Sequence, residues 1–580
     1  MCGIVGYIGY REAAEVCTSG LLRLEYRGYD SYGLATLSPS LSSYKHLGKI
    51  SESAESAKHL KGTVGIGHTR WATHGVPSET NAHPHLDEKM KIAVVHNGII
   101  ENYADLRRGL EDRGVVFTSQ TDTEVIPHLI AEKYAGNLFA AVSSILPLLE
   151  GSYALLILAE GEEKVIAARH GSPLVLGIGD GEFILGSDAL PLLDYTRKAV
   201  YFEEGDVMEI TKNGFTIHNA GLPVSRGVTE IEWSLEEVKK GGFRHFMLKE
   251  IFEQPEAFAH TLSSIKRCTN EMDLIKNAHF ITVVACGTSA NASLVFSYLM
   301  ESICHIPTRV VLGSEFKYFP TPHTDLVIGV SQSGETADTI SALKLAKSLG
   351  AQTLAITNVL GSSITRVASS VLYTRAGPEM SVAATKSFLS QVAAFMQIVN
   401  LLSDHQLDRE LTEIQRYIPE ILNTDMSDAV KLCKDASSLL YIGRGMFYPV
   451  AMEGALKMKE ISYIHAEGYA AGELKHGPFA LLSPETPVIA MCVSSTVYPV
   501  MMSNLKEIKA RSAPIIAIGK DCDKDLEDVA DVCIPLPAVS EYGSVILSSI
   551  ILQLLAYHTA VSLGRDVDMP RNLAKSVTVE

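Results

Sequence analysis

The sequence predicts a mixed α/β chain, with a sheet-rich layered domain followed by two doubly wound parallel-sheet domains. Three observations carry this. Residues 1–225 hold many short strand-like runs, among them KIAVVHNGII, GSYALLILAE and EFILGS, with Gly, Asp and Asn between them. From about residue 275 strand-like runs (HFITVVACG, TDLVIGVSQSG, TLAITN) alternate with helical stretches such as ADTISALKLAKSLG, the βαβ texture of a parallel sheet. The second half also repeats itself. VVACGTSANASLVFSYLME has a counterpart in LYIGRGMFYPVAMEGALKMKE, DLVIGV in PVIAMC, and AQTLAITN in APIIAIGK. Gly287 and Glu315 are 28 residues apart, as are Gly445 and Glu473, which predicts two similar domains about 160 residues apart.

The expected boundaries follow in order. Residues 1–225 form the first domain, with helices near 11–24, 101–114, 122–135 and 138–149. A charged linker entering a helix spans 226–260, with Gly241-Gly242 in its middle. The two α/β domains span 261–410 and 425–565, and a tail, DMPRNLAKSVTVE, lies within 566–580.

Composition narrows the function. A net charge of −17 argues against nucleic-acid binding, which needs a basic surface. The nine cysteines are scattered without a C-x-x-C pair, as expected of reduced thiols in the cytoplasm. No run reaches the ~18 uninterrupted apolar residues of a membrane span. The opening, MCGIVGYIGY, lacks a basic n-region and is broken by Gly3, Gly6 and Gly9, so it does not read as a signal peptide. Cys2 is then either a small buried residue of a first strand or a nucleophile exposed by loss of Met1.

The chemistry favours the nucleophile. A thiolate attacks carbonyls well, and an N-terminal α-amine, with an ordinary pKa of roughly 8, serves as its own general base. Asn97 and the Gly98 N–H suit an oxyanion hole. Arg70 suits a carboxylate clamp and Asp122 an ammonium clamp. HNG on its own reads as a turn. His68, His74, His83 and His85 lack a metal-binding frame, so no metal is expected.

Together MCGIVGY, EYRGYDS, GHTRWATHG with NAHPH, and HNGIIEN resemble the class II glutamine amidotransferases, which are N-terminal-nucleophile hydrolases. The resemblance implies a four-layer αββα sandwich, removal of Met1, attack of Cys2 on the glutamine amide, and a glutamyl thioester that water hydrolyses. It implies that Arg70 and Asp122 hold the glutamine backbone groups and that Trp71, Thr73 and His74 line the pocket.

In the second half, SQSGETADT puts Ser331, Ser333, Thr336 and Thr339 between a strand and a helix, and CGTS (286–289) holds the same strand-to-helix position earlier in the same domain. Hydroxyls at a helix N-terminus cradle phosphate. The second α/β domain carries Lys457, Glu460, Glu473, Lys475 and His476, and the tail carries Lys575. A desolvated lysine forms Schiff bases with ketones, while a carboxylate and an imidazole move protons.

Both α/β blocks resemble sugar isomerase (SIS) domains, and the full motif order resembles the isomerising, glutamine-dependent aminotransferases that act on fructose 6-phosphate. That resemblance implies that Thr288, Ser289, Ser331, Gln332, Ser333, Thr336, Val382 and Lys457 hold the sugar phosphate. Lys575 would bind the open-chain ketose, Glu460 would move the C1/C2 proton and His476, from a neighbouring subunit, would assist ring opening. Glutamine and fructose 6-phosphate are the implied partners, with no cofactor, a homodimer sharing its sugar site, and ammonia passing internally with Trp71 as gate. Ala384 and Ala290 stand where the family pattern has serine and tyrosine. The alternatives are a non-catalytic SIS sugar-phosphate sensor, or a class II amidotransferase with another acceptor. No P-loop for a nucleotide acceptor is found.

Overall fold

The computed structural model describes residues 2–72, 74–231, 237, 239–318, 325–493, 496–520 and 523–578. These fall into two compact units, Met1–Leu235 with Ala574–Glu580, and Glu236–Leu573.

The first unit stacks two antiparallel sheets between helices. In the eight-stranded sheet, β1 (Gly3–Ile8) pairs with β2 (Val64–Arg70) on one side and with Phe183–Gly186 on the other. Helix α1 (Ala13–Leu24) covers its outer face. In the seven-stranded sheet, β3 (Ile92–Ile100) pairs with β4 (Gly151–Ala159). Helices α2 (Tyr103–Glu111), α3 (Val125–Lys133) and α4 (Leu138–Ile145) cover its outer face. Ile4, Ile8 and Ile66 meet Leu156, Leu158 and Val165 between the sheets. This is a four-layer αββα sandwich. Both strands are wholly buried, and burial on both faces explains the almost unbroken apolar run of β1. HNG is not a turn: His96, Asn97 and Gly98 continue β3, and Gly98 takes a φ of 132° within the strand.

The second unit begins with α5 (Phe246–Phe252) and holds two parallel five-stranded sheets. The first comprises β5 (Ile281–Ala285), β6 (Thr308–Leu312), β7 (Leu326–Ser331), β8 (Gln352–Thr357) and β9 (Ser370–Tyr373), interleaved with α6 (Gly287–Leu299) and α7 (Ala337–Ser348). Helix α8 (Lys386–Leu402) closes that repeat. The second sheet comprises β10 (Ser438–Gly443), β11 (His465–Ala470), β12 (Val488–Cys492), β13 (Ile515–Lys520) and β14 (Val532–Leu536), with α9 (Phe447–Ser462) after its first strand and α10 (Glu541–Ser562) after its last.

Both sheets take the order 2-1-3-4-5, so the internal repeat is one of topology as well as sequence. Each first strand enters its helix through a glycine in the left-handed region, Gly287 at φ 52° and Gly445 at 55°. A Cβ would meet nothing within 4 Å at either glycine, so backbone conformation rather than crowding requires them. Helix α10 is the one described helix long and apolar enough to cross a membrane, and 89% of its apolar window is buried inside the unit, where it packs against α9.

Candidate active site

Strand β1 delivers Cys2 to the end of the eight-stranded sheet, beside the turn that follows β2. The Trp71 N–H points to Cys2 Sγ at 3.3 Å, and the thiol approaches the Trp71 carbonyl at 3.5 Å. Burial pushes the thiol pKa up, opposed by the Trp71 N–H and the Arg70 charge, so the thiol needs a base to become a nucleophile. Cys2 shares an open cleft with Arg70, Trp71, His74, Gly98 and Asp122.

The clamps are held in place. One Arg70 Nη2 reaches the carbonyls of His74 and Gly75, while buried Nη1 has no hydrogen-bond partner. Asp122, 4% exposed, accepts the Ile100 N–H at 2.8 Å through one oxygen. Asn97 Nδ2 donates to the Cys2 carbonyl at 2.9 Å, which occupies one of its two donors, and its Oδ1 is buried without a partner. The EYRGYDS motif works behind this wall: Asp30 accepts the Ala72 N–H at 2.9 Å and donates its own N–H to the Arg70 carbonyl at 3.0 Å. Trp71 packs edge-on against Tyr29, and His74 against Tyr103. Thr73 lies outside the described residues.

His68, His83, His85 and His96 are all buried, with His83 and His96 in the wall of the cleft. The rings of His68 and His83 stack 4.0 Å apart, and the His96 N–H donates to His83 Nδ1 at 3.2 Å. That bond leaves the His83 proton on Nε2. His85 and His96 contact the hydroxyls of Thr121 and Thr123. Burial lowers all four pKa values, that of His68 to about 3. Among the described residues, no three His, Cys, Asp or Glu side chains are grouped to hold a metal ion.

In the second unit the hydroxyl loops lie at the carboxyl ends of β5 and β7, the adjacent strands between which the connection reverses direction. Ligands bind at such switch points. Ser331 Oγ lies 2.9 Å from Thr336 Oγ1 and accepts the Gly334 N–H, while Ser333 Oγ accepts the Glu335 N–H. Gln332 contributes its carbonyl to the Asn358 N–H. Thr336 stands at the start of α7 without capping it through its side chain, so the hydroxyl cluster is not explained by helix capping. Ser289 accepts from Gln391 at 2.9 Å.

Helix α9 supplies the charged part. Lys457, 1% exposed, lies 2.6 Å from Glu460 and 3.4 Å from Glu453, and donates to Thr288 at 3.0 Å. Burial opposes its charge, but the two carboxylates win and raise its pKa. Glu453 also accepts from Thr288 and Asn291, which joins the two SIS repeats. Sequence reasoning missed Glu453, Asn291 and Gln391. The i, i+4, i+7 spacing of Glu453, Lys457 and Glu460 in a mostly apolar helix was the available signal.

Val382 is buried and gives its N–H to the Asp568 carbonyl. His476 is exposed on the 3-10 turn after β11. Lys575 is half-buried in the segment 574–580, which groups with the first unit.

The two halves match two family models, a glutamine amidotransferase domain over residues 68–194 and an SIS domain over both 274–401 and 432–563. A curated glutamine–fructose-6-phosphate aminotransferase (isomerizing) from Chlorobaculum tepidum is 45% identical over the full length of both chains. This chain belongs to the glutamine–fructose-6-phosphate aminotransferase family. Family members from Thermus thermophilus and Methanothermobacter thermautotrophicus are 44% and 46% identical, again end to end. Among solved structures, the C-terminal domain of the Francisella tularensis glucosamine-fructose-6-phosphate aminotransferase is 33% identical with a TM-score of 0.52, covering 57% of this chain and 99% of that one. Tagatose-6-phosphate ketose/aldose isomerase from Escherichia coli, 18% identical with a TM-score of 0.51 over 57% of this chain and 96% of that one, shares the SIS fold with this aminotransferase family.

Proposed function

We infer that this chain moves the amide nitrogen of glutamine to fructose 6-phosphate, forming glutamate and glucosamine 6-phosphate, the first step of amino-sugar synthesis. The observation that carries the reading is the thiol cleft, where Cys2 stands beside an unpaired Arg70 donor and the Asp122 carboxylate. That arrangement suits an α-amino acid whose side-chain amide faces sulfur.

Loss of Met1 gives Cys2 an α-amine, the base that its raised thiol pKa calls for. The thiolate attacks the amide carbon, Asn97 and the Gly98 N–H stabilise the oxyanion, ammonia leaves, and water hydrolyses the thioester. Trp71 and His74 line the pocket. In the SIS half the Ser331–Thr336 loop, with Thr288, Ser289 and Val382, takes the sugar phosphate. Lys575 forms an imine with the open-chain ketose, Glu460 carries a proton between C1 and C2, and Lys457 pairs with Glu460 at 2.6 Å. His476 of the partner subunit assists ring opening, which makes the working unit a homodimer. Ammonia crosses internally, gated by Trp71, and the enzyme works in the cytoplasm. The pairing of a glutamine-splitting domain with two sugar-phosphate domains supports ammonia transfer over a sensor that binds without turnover.

The test is to supply glutamine and fructose 6-phosphate and to quantify glutamate and glucosamine 6-phosphate together. Equal amounts support the reading. Glutamate without amino sugar would overturn the acceptor, and amino sugar from a Cys2→Ala variant would overturn the nucleophile.

A further inference from the structure

We propose that Glu124 is a positioning residue for glutamine, holding the Asp122 carboxylate where it meets the substrate ammonium. This rests on the reading of Asp122 given above. Thr121, Asp122 and Thr123 all line the thiol cleft, on one short loop entering α3. The next residue, Glu124, is 2% exposed yet points away from the cleft. Its carboxylate folds back on the same loop. Oε1 accepts the Thr118 N–H and hydroxyl, both at 2.8 Å, and Oε2 accepts the Ser119 N–H and hydroxyl, both at 2.6 Å. The Ser119 hydroxyl in turn lies 3.0 Å from that of Thr121, next to Asp122.

All four groups hydrogen-bonded to the carboxylate are donors. Burial works against its charge, but these bonds and His128, 3.8 Å away, hold its pKa well below the usual range. A carboxylate accepts on both oxygens, whereas an amide presents N–H groups on one side. Glu124→Gln keeps shape and volume but sets an NH2 against two donors, so the loop must open on one edge. Among the described residues, the hydrogen bond that fixes the Asp122 carboxylate from its other side is the one from the Ile100 N–H. The loop therefore turns, and the ammonium clamp moves before the thiol or the Arg70 side is touched.

The experiment compares glutamine with its des-amino analogue, 4-carbamoylbutanoate, as substrates for amide hydrolysis by the full chain. Only glutamine uses the ammonium clamp. Glu124→Gln is expected to raise the glutamine KM about tenfold or more with kcat nearly unchanged, and to leave kcat/KM for the des-amino analogue within about twofold. A purely structural role lowers both substrates together, and that outcome overturns the proposal. Asp122→Asn is run alongside. If it fails to discriminate between the substrates, the Asp122 reading falls; if it discriminates and Glu124→Gln does not, only the proposal falls. Should Glu124→Gln not fold, Thr118→Val removes a single hydroxyl donor at an exposed site, and the same selective rise in glutamine KM, smaller in size, is expected. Equal loss on both substrates there overturns the proposal.

Discussion

Replacing Lys457 by methionine separates charge from volume at the most deeply buried cation of the SIS unit. The side chain is 1% exposed, and its two carboxylate partners, Glu453 and Glu460, are 3% and 19% exposed. Lys457→Met keeps an unbranched chain of similar length, so the cavity term is small. It leaves two carboxylates on one helix face with no cation between them. Removing one partner of a buried pair costs about 3–5 kcal/mol because the remaining charge stays desolvated. For a unit of this size about 2 °C accompanies each kcal/mol, so the SIS transition should fall by about 6–10 °C in calorimetry of the full chain.

The pH dependence carries a sign. Burial already raises the Glu453 pKa, and Lys457 opposes that rise. Without the lysine the folded pKa climbs further above the unfolded value, and the folded state binds more protons. Stability of the variant therefore drops as pH rises from the unfolded value, about 4.3, through the folded one. The gap to the parent protein should be wider at pH 8 than at pH 5. A melting temperature within 1 °C of the parent, or a gap that widens toward acid, would refute the buried-triad account.

Three further outcomes follow from the geometry. At Gly98 an added Cβ would sit 2.0 Å from the Ser152 carbonyl oxygen, on a backbone at φ 132°; Gly98→Ala should push β3 from β4 and cut glutamate release by about 100-fold or more, and parent-like turnover would refute it. Because burial depresses His68 to about 3, the folded state takes up fewer protons than the unfolded chain, so stability is full above pH 6.5 and lost below it. At pH 5 that single group costs about 2 kcal/mol, and an amidotransferase-unit transition unchanged between pH 7.5 and 5 would contradict this. Asp568 accepts the Phe246 and Met247 N–H groups at the start of α5 and pairs with Lys240; Asp568→Ala should cost about 1–2 kcal/mol in the SIS transition, and no loss in a thermal scan would count against that cap.

The sequence was most legible where local pattern and global fold agree. The 28-residue spacing survives as a shared strand order, with Gly287 and Gly445 at matching turns. Buried strands such as β1 announced themselves as apolar runs. HNG misled because asparagine-glycine is ordinarily a turn signal, whereas here pairing with β4 holds Gly98 in an unusual strand conformation. Cys2, Arg70 and Asp122 were found through motifs, but the reason they converge was not visible. It depends on Asp30 and Glu124 bracing two loops through hydrogen bonds that leave no periodic trace. Glu453 escaped because an acidic residue four before a lysine on a helix usually marks a solvated face, and only tertiary packing shows this one to be buried.

The bridge from Glu453 to Thr288 and Asn291 makes the two repeats unequal partners. Counted from the matching glycines, the positions of Glu453, Lys457 and Glu460 are held in the first repeat by Val295, Leu299 and Ser302. Conversely, CGTS is answered in the second repeat by Arg444-Gly445-Met446-Phe447, with no hydroxyl. Duplication thus ended in complementation: one copy carries the hydroxyl loops, the other the Glu453–Lys457–Glu460 charge cluster. A chimera built from either repeat twice would inherit two of one and none of the other, so the pair has become a single heritable unit that neither half can leave.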